Sequence, residues 1–179
     1  MEDQGFCEEI QSFIHEVLDR HLKDPISTQP VSAYGKSDRR TFILPSIIVW
    51  DPLHQLFSGI IECDQCSKPL KVHRWKKGDH LRHAPRTLIC IDQPILLISC
   101  VYRCTQKHEI LSHDPRLLKM CEVQAIPFEL KHKIGFTKKF MFYITSHVSA
   151  GLSFATIAET HQQLWQREST TSTLVGLAH

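Results

Sequence analysis

Three cysteines and one histidine form two closely spaced pairs in the middle of the chain. Cys63 and Cys66 are separated by two residues, and Cys104 and His108 by three. Each spacing lets one tight turn present both side chains to a single metal ion, so together they offer three sulfurs and one imidazole nitrogen. This donor set favours tetrahedral zinc over magnesium or calcium. Four protein ligands leave no position for water, so we predict a structural, non-catalytic site.

Other residues compete for the fourth ligand position. Cys100 lies four residues before Cys104, but the apolar sequence around it, residues 96–102, favours a buried strand position. A distant histidine also remains open, because the chain contains 12 histidines. The predicted metal ligands are Cys63, Cys66, Cys104 and His108. The cysteines expected to be small buried hydrophobic residues are Cys7, Cys90 and Cys121.

A basic segment, residues 71–86, lies between the two ligand pairs. It contains six lysines and arginines and one acidic residue, Asp79. Such a segment is typical of a hairpin that contacts phosphates, with Trp75 as a stacking platform. The alternative is a solvated hairpin whose lysines protect a strand edge. The candidate nucleic-acid-binding residues are Lys71, Arg74, Trp75, Lys76, Lys77 and Arg86.

The composition places bounds on the class of protein. The chain has 179 residues, 42% hydrophobic and 22% charged, which is enough for one substantial core or two small ones. The net charge of +2 indicates no particular partner. Seven irregularly spaced cysteines favour a reducing compartment over a disulfide scaffold. The longest apolar runs, 42–50 and 95–101, are too short to cross a bilayer, so we expect an intracellular protein without membrane association.

The elements that must position these residues predict an α+β fold. We expect an N-terminal helix, a small antiparallel sheet that carries a zinc ribbon, and a C-terminal helical cluster. Apolar residues at helical spacing between Phe6 and Leu22 predict the first helix. The predicted divisions are an amphipathic helix at 1–24, a linker or loop at 25–40, the zinc-ribbon β domain at 41–111, the helical cluster at 112–168 and a tail at 169–179.

The end of the helical cluster has the pattern of a helix–turn–helix. Thr137 is a good N-cap for a helix from Lys138, Gly151 suits a left-handed helix end, and Ser153 can cap a second helix. The turn has the length and the glycine expected of a DNA-binding helix–turn–helix. The alternative is a helical hairpin that packs on the ribbon, because the second helix is poor in lysine and arginine.

The chain also resembles a known domain family at scattered positions. The matching positions are Cys63-x2-Cys66, Trp75, Pro85-Arg86, Tyr102-Arg103-Cys104, Ser112-x-Asp114-Pro115 and Gly151-Leu152-Ser153-Phe154-x2-Ile157-Ala158. They resemble a zinc-ribbon domain that occurs beside cysteine-cluster and transposase-derived modules, including proteins labelled HMG domain-containing protein 3-like. The resemblance covers roughly residues 43–165 and implies a nuclear, mobile-element-derived binding module without assigned activity. The family has a second Cys-x2-Cys pair, whereas Cys104 here is followed by His108.

Together these features predict a non-catalytic zinc-binding module that binds nucleic acid. The alternative is a zinc-stabilised protein–protein interaction module, with helix 6–22 or the helical cluster as its contact surface. The sequence contains no Gly-rich phosphate loop, no Gly-x-Ser-x-Gly and no His-Glu-x-x-His. A catalytic role would need a reactive cysteine that remains after the metal ligands are assigned.

Overall fold

The computed structural model describes residues 2–24, 30–32, 34–37, 40–57, 59–76, 85–123, 126–131 and 134–175. The fold is α+β, as predicted. The helices are α1 (Glu2–Lys23), α2 (Pro52–Gln55), α3 (Pro115–Met120), α4 (Lys138–Ser149) and α5 (Phe154–Val175). The strands are β1 (Tyr34–Ser37), β2 (Arg40–Ile43), β3 (Ser46–Trp50), β4 (Lys71–Trp75), β5 (Arg86–Ile89), β6 (Ile95–Arg103), β7 (Glu109–Leu111), β8 (Phe128–Lys131) and β9 (Ile134–Thr137).

The long strand β6 organises a sheet of seven strands. β3 pairs with its first half in parallel and β5 in antiparallel orientation, while β4 and β7 pair antiparallel with its second half. The sheet is therefore mixed, whereas the sequence predicted an antiparallel one. Parallel pairs need long crossover connections, and the segments from β3 to β6 and from β5 to β9 are long enough to provide them.

The region predicted as a helical cluster, 112–168, also contributes two strands. β8 and β9 form a hairpin, and β9 pairs in parallel with β5. The packing at Gly135 is tight, because a Cβ there would lie 2.6 Å from side-chain atoms of Leu88 and Leu130. This region is therefore part of the same sheet as β4, β6 and β7.

Helix α1 packs on the sheet through one apolar stripe, as its sequence period indicates. Phe13, Ile14, Val17 and Leu18 are buried together with residues of β3 and β6, including Ile47. The predicted linker, 25–40, contains β1, which pairs with β2 in a separate two-stranded sheet.

Helices α4 and α5 begin at their predicted caps. The Oγ1 of Thr137 accepts a hydrogen bond from the Phe140 N–H at 3.2 Å, and Gly151 has the left-handed φ of +86° between the helices. Helix α5 continues to Val175, past the predicted start of the tail at 169. The Ser/Thr-rich sequence there lowers helix propensity only modestly, so a helix that has already formed can continue through it. In the described ranges no helix is long and apolar enough to cross a membrane.

Candidate metal centre and basic face

The first metal-binding turn, Cys63–Cys66, lies just before β4. The Ser67 N–H donates to the Cys63 carbonyl at 2.8 Å, and the Cys63 N–H donates to the Lys68 carbonyl at 2.8 Å. Ser67 has a positive φ of 53°, a conformation that reverses the chain sharply. These bonds fold the backbone around the two sulfurs and bring both to one side of the turn.

The second metal-binding turn, Cys104–His108, connects β6 to β7. The Lys107 N–H donates to the Cys104 carbonyl at 3.0 Å, and the Cys104 N–H donates to the His108 carbonyl at 3.2 Å. Lys107 has a positive φ of 66°, as Ser67 does in the first turn. The antiparallel pairing of β4, β6 and β7 holds the two turns at the same end of the sheet.

The four predicted ligands converge into one cluster that can hold a metal ion. Their ligand atoms all lie within 4.8 Å of one another. The Sγ atoms of Cys66 and Cys104 are 3.5 Å apart, and the Sγ of Cys63 lies 3.6 Å from Nδ1 of His108. Cys63 and Cys104 are buried, so the protein keeps solvent away from these two ligands.

The surroundings of the cluster shift the pKa values of two of its thiols in opposite directions. Burial, together with the hydrogen bonds to Cys104 and Cys63, raises the pKa of Cys66. Burial raises the pKa of the Cys104 thiol, but hydrogen bonds from the backbone at His108 and from Cys66 outweigh burial, so this pKa is lowered. A lower pKa favours the thiolate, which is the form that binds metal. Outside the cluster, the Arg116 guanidinium reaches Asp64 at 3.2 Å and so connects α3 to the first turn.

The remaining described cysteines lie apart from the cluster. Cys90, Cys100 and Cys121 are buried, and burial raises the pKa of each thiol. Cys100, the competitor for the fourth ligand position, is completely buried, with its Sγ 3.9 Å from the Trp50 carbonyl oxygen. A protonated, buried thiol is a poor nucleophile, so these three offer no reactive cysteine for the catalytic alternative. The side chain of Cys7 lies outside the described residues.

Strand β6 aligns four of the predicted nucleic-acid-binding residues on one face of the sheet. We call Lys71, Arg74, Lys76 and Arg86 the basic row. They lie opposite positions 103, 101, 99 and 97 of β6. Alternate residues of a strand share a face, so their partners on the neighbouring strands share that face as well. Lys71 is exposed and the other three are half-buried.

One carboxylate lies within this basic surface. Glu109 accepts hydrogen bonds from Arg74 at 2.8 Å and from Nε of Arg103 at 2.9 Å. Its pKa is lowered chiefly by the bond with Arg103. Arg103, which the sequence analysis did not single out, belongs to the same face because it lies opposite Lys71. No local pattern marks it, because β6 is an almost continuous apolar run without alternation, and its face follows only from the pairing with Lys71.

The other two predicted residues are placed differently. Trp75 lies between Arg74 and Lys76, so its ring projects from the opposite face. There it packs edge to face on the ring of His21 in α1, with the two ring centroids 5.4 Å apart. It therefore does not share a surface with the basic row. Lys77 lies outside the described residues.

A buried polar network around Asp51 was not anticipated. Its carboxylate is 2.7 Å from Nδ1 of His54 and 3.1 Å from Nε2 of His21, and it accepts a hydrogen bond from the Tyr102 hydroxyl. Burial would raise the pKa of Asp51, but the bonds with His21 and Tyr102 and the nearby His54 outweigh it, so the pKa is lowered. Asp51 thereby ties α1, α2 and β6 to the end of β3.

The helical hairpin α4–α5 exposes large apolar side chains. Phe142 is 73% exposed and Phe154 70% exposed. Val148 and Leu152 are also exposed, whereas Phe140 and Ile157 are buried. The apolar side chains of this hairpin are thus only partly buried.

We compared the chain with known proteins in three ways. No family model, curated protein or solved structure matches it significantly. The resemblance to a zinc-ribbon domain therefore stays a prediction, and the candidate metal centre depends on its own geometry.

Proposed function

We propose that the protein is a non-catalytic zinc-binding module, in which a zinc ribbon presents the basic row to nucleic acid. The observation that carries the proposal is the position of the basic row on β4 and β5, along the strand β6 that also leads into the second metal-binding turn. From the resemblance described above, we further propose a nuclear protein derived from a mobile element.

The distances within the cluster support zinc. With zinc–sulfur bonds of about 2.3 Å and zinc–nitrogen bonds of about 2.0 Å, a tetrahedron has sulfur–sulfur edges of about 3.8 Å and sulfur–nitrogen edges of about 3.5 Å. The separations of 3.5 Å between the Cys66 and Cys104 sulfurs and 3.6 Å between Cys63 and His108 are close to these edges. Three cysteines and one histidine form one of the common structural zinc sets.

The length of the basic row supports an extended polyanion as the partner. It runs alongside β6 from position 103 to position 97, which at about 3.3 Å per residue is about 20 Å. Successive phosphates of one strand of a duplex are about 3.4 Å apart along the helix axis, so a row of this length spans several of them. Glu109 neutralises part of this charge, but it pairs with Arg74 and Arg103 rather than with Lys71 or Arg86.

Neutralising the basic row should weaken binding and reduce its salt dependence. We expect a Lys71→Gln, Lys76→Gln, Arg86→Gln variant to flatten the slope of log K against log salt by about 2 on a single-stranded oligonucleotide, since each lost phosphate contact removes about 0.7. Fluorescence anisotropy across a salt series measures this slope.

A matched variant controls for net charge. Arg20→Gln, Lys23→Gln and Lys131→Gln remove the same number of charges from exposed positions away from the basic row, and should leave the slope within experimental error. Equal slopes for the wild type and both variants would reject the basic row as the binding surface.

The exposed apolar residues of α4–α5 favour the second candidate function, a protein–protein interaction module. The free energy of unfolding of a Phe142→Ser, Phe154→Ser variant should be within about 0.5 kcal/mol of the wild-type value, because both side chains are mostly exposed and contribute little to folding. Urea unfolding followed by circular dichroism measures this difference. A loss of several kcal/mol would mean that these residues serve the fold rather than a partner. Phe140→Ser, at a buried position on the same helix, should be clearly destabilising.

A further inference from the structure

Strand pairing brings three polar residues from three separate elements beside the middle of β6. Lys76 follows the end of β4, Arg86 begins β5, and His113 follows β7. We infer that these three side chains form a seat for one phosphate group. The inference rests on the proposed nucleic-acid-binding function and deepens it, because it identifies the position where one phosphate is held and adds His113 to the binding residues.

The strand register brings the two cations together. The backbone N–H of Lys76 donates to the Ser99 carbonyl at 2.8 Å, and Arg86 lies opposite Leu97. These two positions of β6 are about 6.6 Å apart on one face, a distance that two long cationic side chains can bridge through a single anion. No carboxylate in the described ranges forms an ion pair with Arg86.

His113 approaches the same part of β6 from the β7 side. The preceding residue, Ser112, donates its N–H to the Cys100 carbonyl at 2.9 Å and accepts from the Cys100 N–H through Oγ at 3.1 Å. Nδ1 of His113 is buried and has no hydrogen-bond partner among the described residues. We therefore assign the ligand contact to the other ring nitrogen, Nε2.

The electrostatics agree with this arrangement. Burial, together with the charges of Arg86 and Lys76, lowers the pKa of His113 to about 4. The imidazole is therefore neutral near pH 7, and an Nε2–H tautomer can donate to an anion while the buried Nδ1 carries no proton. Burial and the charges of Arg86 and Arg74 lower the pKa of Lys76 as well. Glu109 offsets part of the effect on Lys76 and Asp114 part of the effect on His113, and a bound anion would relieve the repulsion that remains.

The chemistry of the three groups selects a phosphate. A guanidinium binds two oxygens of a phosphate through parallel N–H bonds, an ammonium adds a second full charge, and a neutral imidazole donates one further hydrogen bond. A nucleic-acid phosphodiester and a free or terminal phosphomonoester both satisfy these donors. The experiment below distinguishes the two sources.

The direct test is titration of the zinc-loaded protein with inorganic phosphate, followed by NMR of the His113 ring and the Arg86 Nε–H at pH 7. We expect saturable shifts of both resonances, absent in sodium chloride of equal ionic strength. Arg86→Gln should weaken phosphate binding by about tenfold, the loss of one charge-assisted contact worth about 1.4 kcal/mol. His113→Gln, which keeps one donor, should weaken it less than His113→Ala.

Arg103→Gln is the matched control. Arg103 lies on the same face, but it is paired with Glu109, so its loss should leave phosphate affinity within about twofold. The unfolding midpoint of each variant shows whether it is folded. Absence of shifts at His113 and Arg86, or equal weakening by Arg86→Gln and Arg103→Gln, would overturn the phosphate seat.

Two oligonucleotides separate this inference from the proposed function. If an oligonucleotide without terminal phosphates displaces inorganic phosphate, the seat holds a backbone phosphodiester and both proposals are supported. If only a 5′-phosphorylated oligonucleotide competes, the seat is supported but binds phosphomonoesters, and the extended nucleic-acid interface is rejected. If oligonucleotides bind while the His113 and Arg86 resonances do not respond, the seat is rejected and the proposed function remains.

Discussion

A Cys63→Ser, Cys66→Ser variant should lose its bound metal and the cooperative unfolding of the surrounding core. We expect about one zinc per wild-type chain and almost none in the variant, since the serine hydroxyls stay protonated at neutral pH. Structural zinc contributes about 10–16 kcal/mol to folding in small zinc modules, as much as the whole stability of a typical domain. Elemental analysis of protein purified without chelator, with calorimetry on the same samples, measures both effects.

The location of the ligands explains why the effect should extend beyond the site. Cys63 and Cys104 are members of the buried cluster that contains Tyr102 and Leu117. The clusters around α1 and around Phe128 are separate from it, so we expect some secondary structure to survive.

Cys90→Ala is the matched control for thiol loss. Cys90 is buried like Cys63, but it is not a member of the metal cluster, so this variant should keep its full metal content. A wild-type protein without metal, or a double variant that still binds one ion, would contradict the assignment of the centre. The cysteines would then be core residues, and a catalytic thiol would have to be reconsidered.

The metal cluster was predictable from the sequence because its information is local. Each ligand pair lies within a single turn, and chain reversal at Ser67 and Lys107 completes each pair without help from distant residues. The sequence left the fourth ligand open but favoured a buried strand position for Cys100, because residues 96–102 are apolar; the structure buries Cys100 and places His108 in the cluster. Joining the two pairs needed only a hairpin-like sheet, which β4, β6 and β7 provide.

The parts that could not be predicted depend on distant pairing. The parallel contact between β5 and β9 joins residues far apart in the chain, and no local pattern specifies that partner. The face to which Trp75 points depends on a bulge between Val72 and Arg74, which shifts the alternation of β4. Without that bulge, the side chain of Trp75 would lie on the face of the basic row.

The network around Asp51 was likewise only partly predictable from the sequence. The sequence Asp51-Pro52 indicates a turn, and the structure indeed uses Asp51 as the N-cap of α2. Its other partners, His21 and Tyr102, come from α1 and β6, far away in the chain. These residues meet only after the sheet has assembled, so the contribution of the network to stability cannot be read from the sequence.

Replacing Asp51 should therefore be among the most damaging changes away from the metal. We expect Asp51→Asn to lower the free energy of unfolding by about 3–5 kcal/mol at pH 7, the usual cost of removing one partner from a buried charged network. Asparagine keeps the helix cap, so the loss reports the buried carboxylate, whose side chain is 2% exposed. Urea unfolding at several pH values measures the effect.

The stabilisation by Asp51 should depend on pH, whereas a loss of packing alone would not. The pKa of Asp51 is lowered in the folded protein, so its stabilisation is complete above the unfolded pKa of about 3.9 and is lost as pH falls through the folded pKa. The difference in the free energy of unfolding between the wild type and Asp51→Asn should shrink in that range.

Asp114→Asn is the matched control, because Asp114 also caps a helix before a proline, but its side chain is 22% exposed and pairs with exposed Arg116. We expect that variant to cost no more than about 1 kcal/mol. Equal losses for the two variants at every pH would show that the network contributes only through the caps.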